Sequence, residues 1–294
     1  MKLIDKPLLD EKIVYDTCIN GVNEPERQLR FSTARKDVLN QFQEYQKKAE
    51  KFQLFSLPSC LWGKDEQIIL NPITKKDFTD LYSTFFASEK SPGRDYYNQI
   101  KILAPLGKCP YCGFGHVSTL DHFLPKARYP ALSILPANLV PSCSDCNKGK
   151  GSPVINRKTQ GLHPYFEPEN IETDIWLHAN LIQTTPLTIE YEIKIPNDWD
   201  KDLKKRLKNH FKDFELSKRF SVEAATELAS LIDMLDDLDI LDDRINHLTR
   251  IARIERRVRP NTWRAALYDM LKDNNWYING GYKNAKKYKI IKRN

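Results

Sequence analysis

Apolar residues in the first third of the chain recur at helical spacing. From about Thr33 to Phe52, the positions Leu39, Phe42, Ala49 and Phe52 fall near one helix face. A second helix is expected from Lys76 to Ala87, with Phe78, Leu81, Tyr82 and Phe85 on one side. After the Ser91-Pro92-Gly93 break, Tyr96, Ile100 and Leu103 mark a third, which ends before Pro105. Residues 1–32 lack clear periodicity and read as a partly extended N-terminal arm. Further on the period changes to two. Leu187, Ile189, Tyr191, Ile193 and Ile195 alternate with Thr188, Glu190, Glu192 and Lys194, the pattern of a half-buried strand. Its hairpin partner is expected over Ile175–Ile182. The remainder is helical. Leu203, Leu207, Phe211 and Phe214 mark one helix, and Leu228, Leu231, Ile232, Leu235 and Leu238 a second. Ile245, Leu248 and Ile254 mark another, and a last runs from about Thr262 to Lys272. Asp233, Asp236, Asp237 and Asp239 are interleaved on the second of these, as on a solvated face.

Residues 106–165 break this regime. Gly, Pro, Cys and Asn become dense and long helical patterns vanish, as expected where a metal replaces part of a hydrophobic core. The fold expected is mainly α with a small α+β element. Its organisation is a helical region over 1–105, a finger over 106–165, and a β-hairpin plus helical region over 166–294.

Composition narrows the class. A chain of 294 residues with 40% hydrophobic content has enough material for a substantial core. It opens with no signal-peptide pattern and contains no run of about 18 apolar residues, so the expectation is a cytoplasmic protein without a membrane partner. The formal charge of +7 is modest, but its distribution is uneven. Lys101, Lys108, Lys126, Arg128, Lys148, Lys150, Arg157 and Lys158 face only Asp121 and Asp145 between residues 101 and 160. Such a surface suits a phosphate backbone, through release of condensed counterions, and it equally suits plain solvation. Arg250, Arg253, Arg256, Arg257, Arg259 and Arg264 form another basic cluster, fit for nucleic acid or for acidic patches of a partner. Lys286, Lys287, Lys289, Lys292 and Arg293 read as a basic tail.

Of six cysteines, Cys18 and Cys60 stand alone and read as small buried hydrophobes. Cys109 and Cys112 form one Cys-x-x-Cys pair, Cys143 and Cys146 a second. Without a secretory signal, such pairs read as a zinc site before disulfides. Four thiolates satisfy tetrahedral zinc and leave no position for substrate, so that zinc is structural. An isolated zinc ribbon used only for binding is the other reading.

Other chemistry hangs on the same scaffold. Asp121 and His122 are consecutive, so on a strand they point to opposite faces, and one site can use both only where the strand ends or twists. Pro125 supports an end there. Asn147 follows a zinc cysteine at a helix start, and Asn138 precedes the second pair, where an amide can cross-brace a loop. A carboxylate and an amide oxygen suit Mg²⁺ or Mn²⁺ better than a second zinc. Asp145, between the cysteines, is expected to cap the helix start.

The ordered pattern Cys-x-x-Cys, Asp-His-x-x-Pro, Asn-Leu-x-x-x-Cys-x-x-Cys-Asn, at residues 109–147, resembles the HNH (His-Me finger) endonucleases in their zinc-stabilised form. The last position, often His in that family, is Asn147, as in its HNN variant. The resemblance implies a ββα-metal finger with His122 as general base. Asp121 and Asn147 would hold one divalent cation, Asn138 would orient the loop that carries the base, and the products would have 5′-phosphate and 3′-hydroxyl ends. Lys126, Arg128, Lys148 and Lys150 are the candidate nucleic-acid contacts. The segment His163-Pro164-Tyr165-Phe166 has a counterpart in small HNH proteins of anti-phage systems; His163 reads as a packing residue, with approach to the metal or phosphate as the alternative. Tyr96-Tyr97-Asn98-Gln99-Ile100 and Trp263-Arg264-Ala265-Ala266-Leu267-Tyr268 resemble the nuclease subunit of Septu-type defence systems, which pairs with a separate ATPase.

Three functions are therefore in play. One is a nuclease acting on DNA or RNA. Another is a non-catalytic zinc module that binds nucleic acid or protein, for which an Asp-His pair beside the zinc knuckle has no purpose. The last is a nuclease silent until a partner ATPase docks.

Overall fold

The computed structural model describes residues 1–285. The basic tail at Lys286, Lys287, Lys289, Lys292 and Arg293 lies outside the described residues. The architecture is mainly α, with small antiparallel strand pairs. The chain forms two compact units, Lys2–Pro168 and Glu169–Asn294, the latter with Met1.

In the first unit, α1 (Glu11–Asn20), α2 (Pro25–Thr33) and α3 (Arg35–Glu50) open the chain. The expected extended arm is thus wrong over most of its length. Asp10 caps α1 by accepting from the Lys12 amide, and Val14, Tyr15, Cys18 and Ile19 form its buried face. That stripe is short, and α2 buries Phe31 alone, so neither helix builds a long periodic signal. A two-stranded hairpin, β1 (Ile68–Leu70) and β2 (Ile73–Thr74), leads into α4 (Lys75–Asp80), whose first turn is closed by a Thr74/Asp77 capping box. The same stretch continues as a π-helical turn over Leu81–Phe86, which faces Tyr82 inward. α5 (Arg94–Lys101) follows the Pro-Gly break. Tyr15, Phe31, Phe42, Tyr45, Phe78 and Phe86 are buried in the core of this unit.

The finger completes the unit. β3 (Thr119–His122) pairs antiparallel with β4 (Leu139–Ser142), with Asp121 opposite Val140 and His122 opposite Leu139. β4 runs into α6 (Ser144–Lys150), giving the ββα arrangement.

In the second unit, β5 (Leu177–Ile182) and β6 (Thr188–Ile193) form the expected hairpin. Ile189 and Tyr191 are buried while Thr188 and Glu190 are exposed, as the alternation demands. A short α7 (Asn170–Thr173) precedes it; α8 (Lys201–Asp213), α9 (Leu216–Asp236), α10 (Leu241–Val258), α11 (Trp263–Leu271) and α12 (Asn275–Ile278) follow. Leu228, Leu231, Ile232 and Leu235 form the buried face of α9, while Asp233, Asp237 and Asp239 are exposed. The arginine cluster divides. Arg256 pairs with Asp269 at 2.9 Å, and Arg264 with Glu227 at 2.8 Å and with Glu255, so both brace the helices. Arg250, Arg253 and Arg257 point outward on α10. No helix among the described residues is long and apolar enough to cross a membrane.

Candidate active site

The four cysteine sulfurs lie within 4.8 Å of one another, all buried. A tetrahedral zinc with Zn–S bonds of about 2.3 Å requires sulfur separations of about 3.8 Å; Cys112 and Cys143 are 3.9 Å apart. Cys109 and Cys112 sit on a tight knuckle, in which the Gly113 amide donates to Cys109 O and the Cys109 amide to Gly115 O. The Gly115 amide in turn donates to Cys112 Sγ at 3.3 Å. A Cβ on Gly115 would meet Cys143 Sγ at 2.9 Å, so glycine there lets the knuckle close on the second pair. Sulfur–sulfur hydrogen bonds push the Cys109 and Cys146 thiols up and those of Cys112 and Cys143 down. Thiols crowded this closely give up protons to a bound dication. The donor set fits structural zinc.

Cys143 is the N-cap of α6, without a side-chain cap bond. Asp145 therefore does not cap the helix; it lies in the first turn, where its charge complements the helix dipole. A metal held by Cys143 and Cys146 would direct the start of α6, and with it Asn147, which is half-buried. Its side-chain amide makes no hydrogen bond among the described residues.

β3 ends at His122, so Asp121 and His122 stand where the strand gives way to the loop of residues 123–138. Asp121 is 4% exposed. Its Oδ2 accepts from Tyr111 Oη at 2.8 Å and from Lys150 Nζ at 2.7 Å. Burial raises its pKa, and the Lys150 ammonium and the Tyr111 hydroxyl oppose that rise. Oδ1 accepts no hydrogen bond among the described residues. A carboxylate oxygen left without a donor is the kind of ligand a hard divalent cation takes.

His122 Nε2 lies 2.8 Å from Ser133 O. A carbonyl only accepts, so Nε2 carries the proton and Nδ1 keeps its lone pair. The ring rests edge-on against Tyr82, 4.4 Å between centroids. Burial pushes its pKa down to about 3, and the Lys126 and Lys150 charges add to that, so the imidazole is neutral near pH 7. Ser133 is itself held, its Oγ donating to Phe78 O at 3.0 Å.

Asn138, fully buried, ties this loop together. Its Oδ1 accepts from the Leu124 amide at 2.8 Å, and its Nδ2 donates to Leu124 O and Leu132 O, each at 3.1 Å. Its backbone carbonyl accepts from the Phe123 amide at 2.8 Å. One side chain thus fixes the residue two places beyond His122 and the residue just before Ser133. Asn138→Ala would strand the Leu124 amide and carbonyl, while Leu132 O keeps the Leu135 amide, costing about 3 kcal/mol. The expected result is a fall of about 6–12 °C in the unfolding midpoint of this unit, followed by circular dichroism. A midpoint within a degree of wild type would remove the bracing role.

His163 belongs to the packing. Its Nδ1 accepts from the Tyr165 amide at 3.2 Å, so Nε2–H donates to Tyr45 Oη, 3.0 Å away. Its ring lies 4.1 Å from that of Phe123. Of the other candidates, Lys126 Nζ sits 4.6 Å over the Tyr82 ring and 3.3 Å from Ser83 Oγ. Arg128 donates to Cys60 O at 3.2 Å and lies over Trp62. Lys148 is exposed. Sequence reasoning missed Tyr82, Tyr111 and Ser133. Tyr111 lies between the first two cysteines and so was visible; Tyr82 and Ser133 reach the site only through the packing of distant segments.

A family model described as HNH endonuclease matches residues 109–152, which contain the four clustered cysteines, Asp121, His122, Asn138 and Asn147. Among curated proteins, the chain is 30% identical over 235 residues to protein ea31 of Escherichia phage lambda, covering 79% of each chain. It is also 35% identical over 75 residues to the Septu protein PtuB of Bacillus thuringiensis, covering 22% of this chain and 29% of that one. No solved structure matches. The chain therefore belongs to the same family as phage lambda protein ea31 and carries, in its first compact unit, an HNH endonuclease domain of the four-cysteine kind.

Proposed function

We propose that the chain is a metal-dependent endonuclease that hydrolyses phosphodiester bonds, with DNA as the favoured substrate and RNA as the alternative. The observation that carries this reading is the His122 tautomer: Ser133 O holds Nε2–H and leaves Nδ1 with its lone pair, able to accept a proton. Nδ1 of His122 takes the proton of the attacking water, and the ring is held in aim by Ser133 O and Tyr82. Asp121 and Asn147 would hold one Mg²⁺ or Mn²⁺, which when bound neutralises charge gathering on the phosphate and the leaving 3′ oxygen. Asn138 holds the loop that carries Ser133. Zinc at the four cysteines is structural and takes no part in the chemistry. Lys126, Arg128 and Lys148 would be the phosphate contacts around the finger.

The partial likeness to PtuB, and the flanks at residues 96–100 and 263–268, support a role in anti-phage defence with activity released by a partner ATPase. Incubation of the zinc-loaded protein with supercoiled plasmid and total RNA, in Mg²⁺, Mn²⁺ or EDTA, tests the activity. Cleavage that EDTA abolishes is expected. No cleavage of either substrate, alone or with a co-purifying ATPase, would favour the zinc-binding module instead.

A further inference from the structure

The helix α6 has seven residues, too few to be stable by itself. With its N-cap, it presents Cys143, Cys146, Asn147 and Lys150 at the spacing i, i+3, i+4 and i+7, which is one helix face. The thiolates anchor the N-terminal end of that face, and Lys150 closes the other end. Its ammonium lies 2.7 Å from Asp121 Oδ2, 2.8 Å from His122 O and 2.8 Å from Phe123 O. Three acceptors match the three N–H donors of an ammonium. The Lys150 side chain is 13% exposed, and the Phe123 ring lies 4.9 Å from Nζ. This is a built-in contact rather than a solvated surface charge.

The Asp121 carboxylate is consequently held from one side. Tyr111 Oη and Lys150 Nζ both bond Oδ2, and the two backbone carbonyls tie the same ammonium to the end of β3. We propose that Lys150 is a positioning residue that locks the Asp121 carboxylate and the end of α6 onto the end of β3, leaving Oδ1 to receive the divalent cation. The inference rests on the reading of Asp121 as a ligand. It assigns Lys150 a role other than contact with substrate phosphate.

The sign of the effect is diagnostic. An ammonium near a dication repels it, so a lysine that contributed charge alone would weaken metal binding, and its removal would tighten it. A positioning role predicts the reverse. Loss of a group that orients a metal ligand weakens affinity by about 10–100-fold.

The test is a Mn²⁺ titration of the zinc-loaded full chain, with free Mn²⁺ read by electron paramagnetic resonance. Wild type, Lys150→Met and Asp121→Asn are compared, with zinc content and circular dichroism as fold controls. Lys150→Met is expected to bind Mn²⁺ about 10–100-fold more weakly while keeping its zinc. Lys150→Arg, which keeps charge and donors in another geometry, should fall between; if Lys150→Met does not fold, this variant decides by the same criterion. Affinity equal to or tighter than wild type would overturn the positioning role. If Asp121→Asn binds Mn²⁺ like wild type, the ligand reading itself fails, an outcome distinct from failure at Lys150 alone.

Discussion

Replacing His122 with alanine is expected to slow phosphodiester cleavage by about 10²–10⁴-fold, the usual contribution of a positioned general base. The loss arises at one atom. Ser133 O occupies Nε2–H, so Nδ1 is the position from which this ring can accept a proton. Alanine also removes the donor to Ser133 O and the contact with Tyr82, so a second variant separates base from scaffold. His122→Gln retains an amide nitrogen at the place of Nε2 that can donate to Ser133 O, but it has no basic nitrogen. It should cleave as poorly as the alanine variant while keeping zinc and a wild-type unfolding midpoint. Rates are compared under single-turnover conditions with saturating Mn²⁺. Cleavage by His122→Gln within a few-fold of wild type would exclude His122 as the base.

Loss of zinc should be more damaging still, because it removes the frame rather than one group. Structural zinc in small fingers carries apparent binding free energies of about 10–16 kcal/mol. Here the ion would join the knuckle at Cys109 and Cys112 to the start of α6 at Cys143 and Cys146. Without it, four crowded thiols must share protons, and a seven-residue helix has only its C-terminal anchor. Cys146→Ser should therefore bring zinc content to background, as read by atomic absorption, and abolish cleavage. Chelation discriminates the two metals. A brief exposure to EDTA should be reversed by Mg²⁺ or Mn²⁺ alone, whereas prolonged exposure that strips the cysteines should require zinc as well. Full activity in a zinc-free Cys146→Ser protein would show that the thiol cluster does not hold the site.

Much of this site was legible because its chemistry is local in sequence. Two Cys-x-x-Cys pairs point to a shared ion from their spacing alone, and Asn147 takes its direction from the adjacent Cys146. Asn138 was legible for a related reason, since an amide just before the second cysteine pair can brace only the loop between the strands. The β5–β6 hairpin followed from strict alternation. The helices α1 and α2 did not follow, because short helices with few buried positions leave little periodic trace. The six arginines looked like a single basic cluster. Folding sets Arg256 and Arg264 against Asp269, Glu227 and Glu255, and leaves Arg250, Arg253 and Arg257 facing outward on α10.

The sequence by itself pointed to the four-cysteine cluster, to the ββα finger and to Asp121 and His122 at a strand end, because spacing along a strand or helix turn constrains where side chains can lie. The tertiary structure decided how those groups are aimed. The Nε2–H tautomer of His122 depends on Ser133, which is anchored through Phe78. The edge-on contact of His122 depends on Tyr82 in the π-helical turn. Lys150 turned out to bond Asp121 because the ammonium found three buried acceptors at a strand end. Local spacing specifies which residues can act together; desolvation and partners from remote segments set which atom donates, which accepts and which is left free to react.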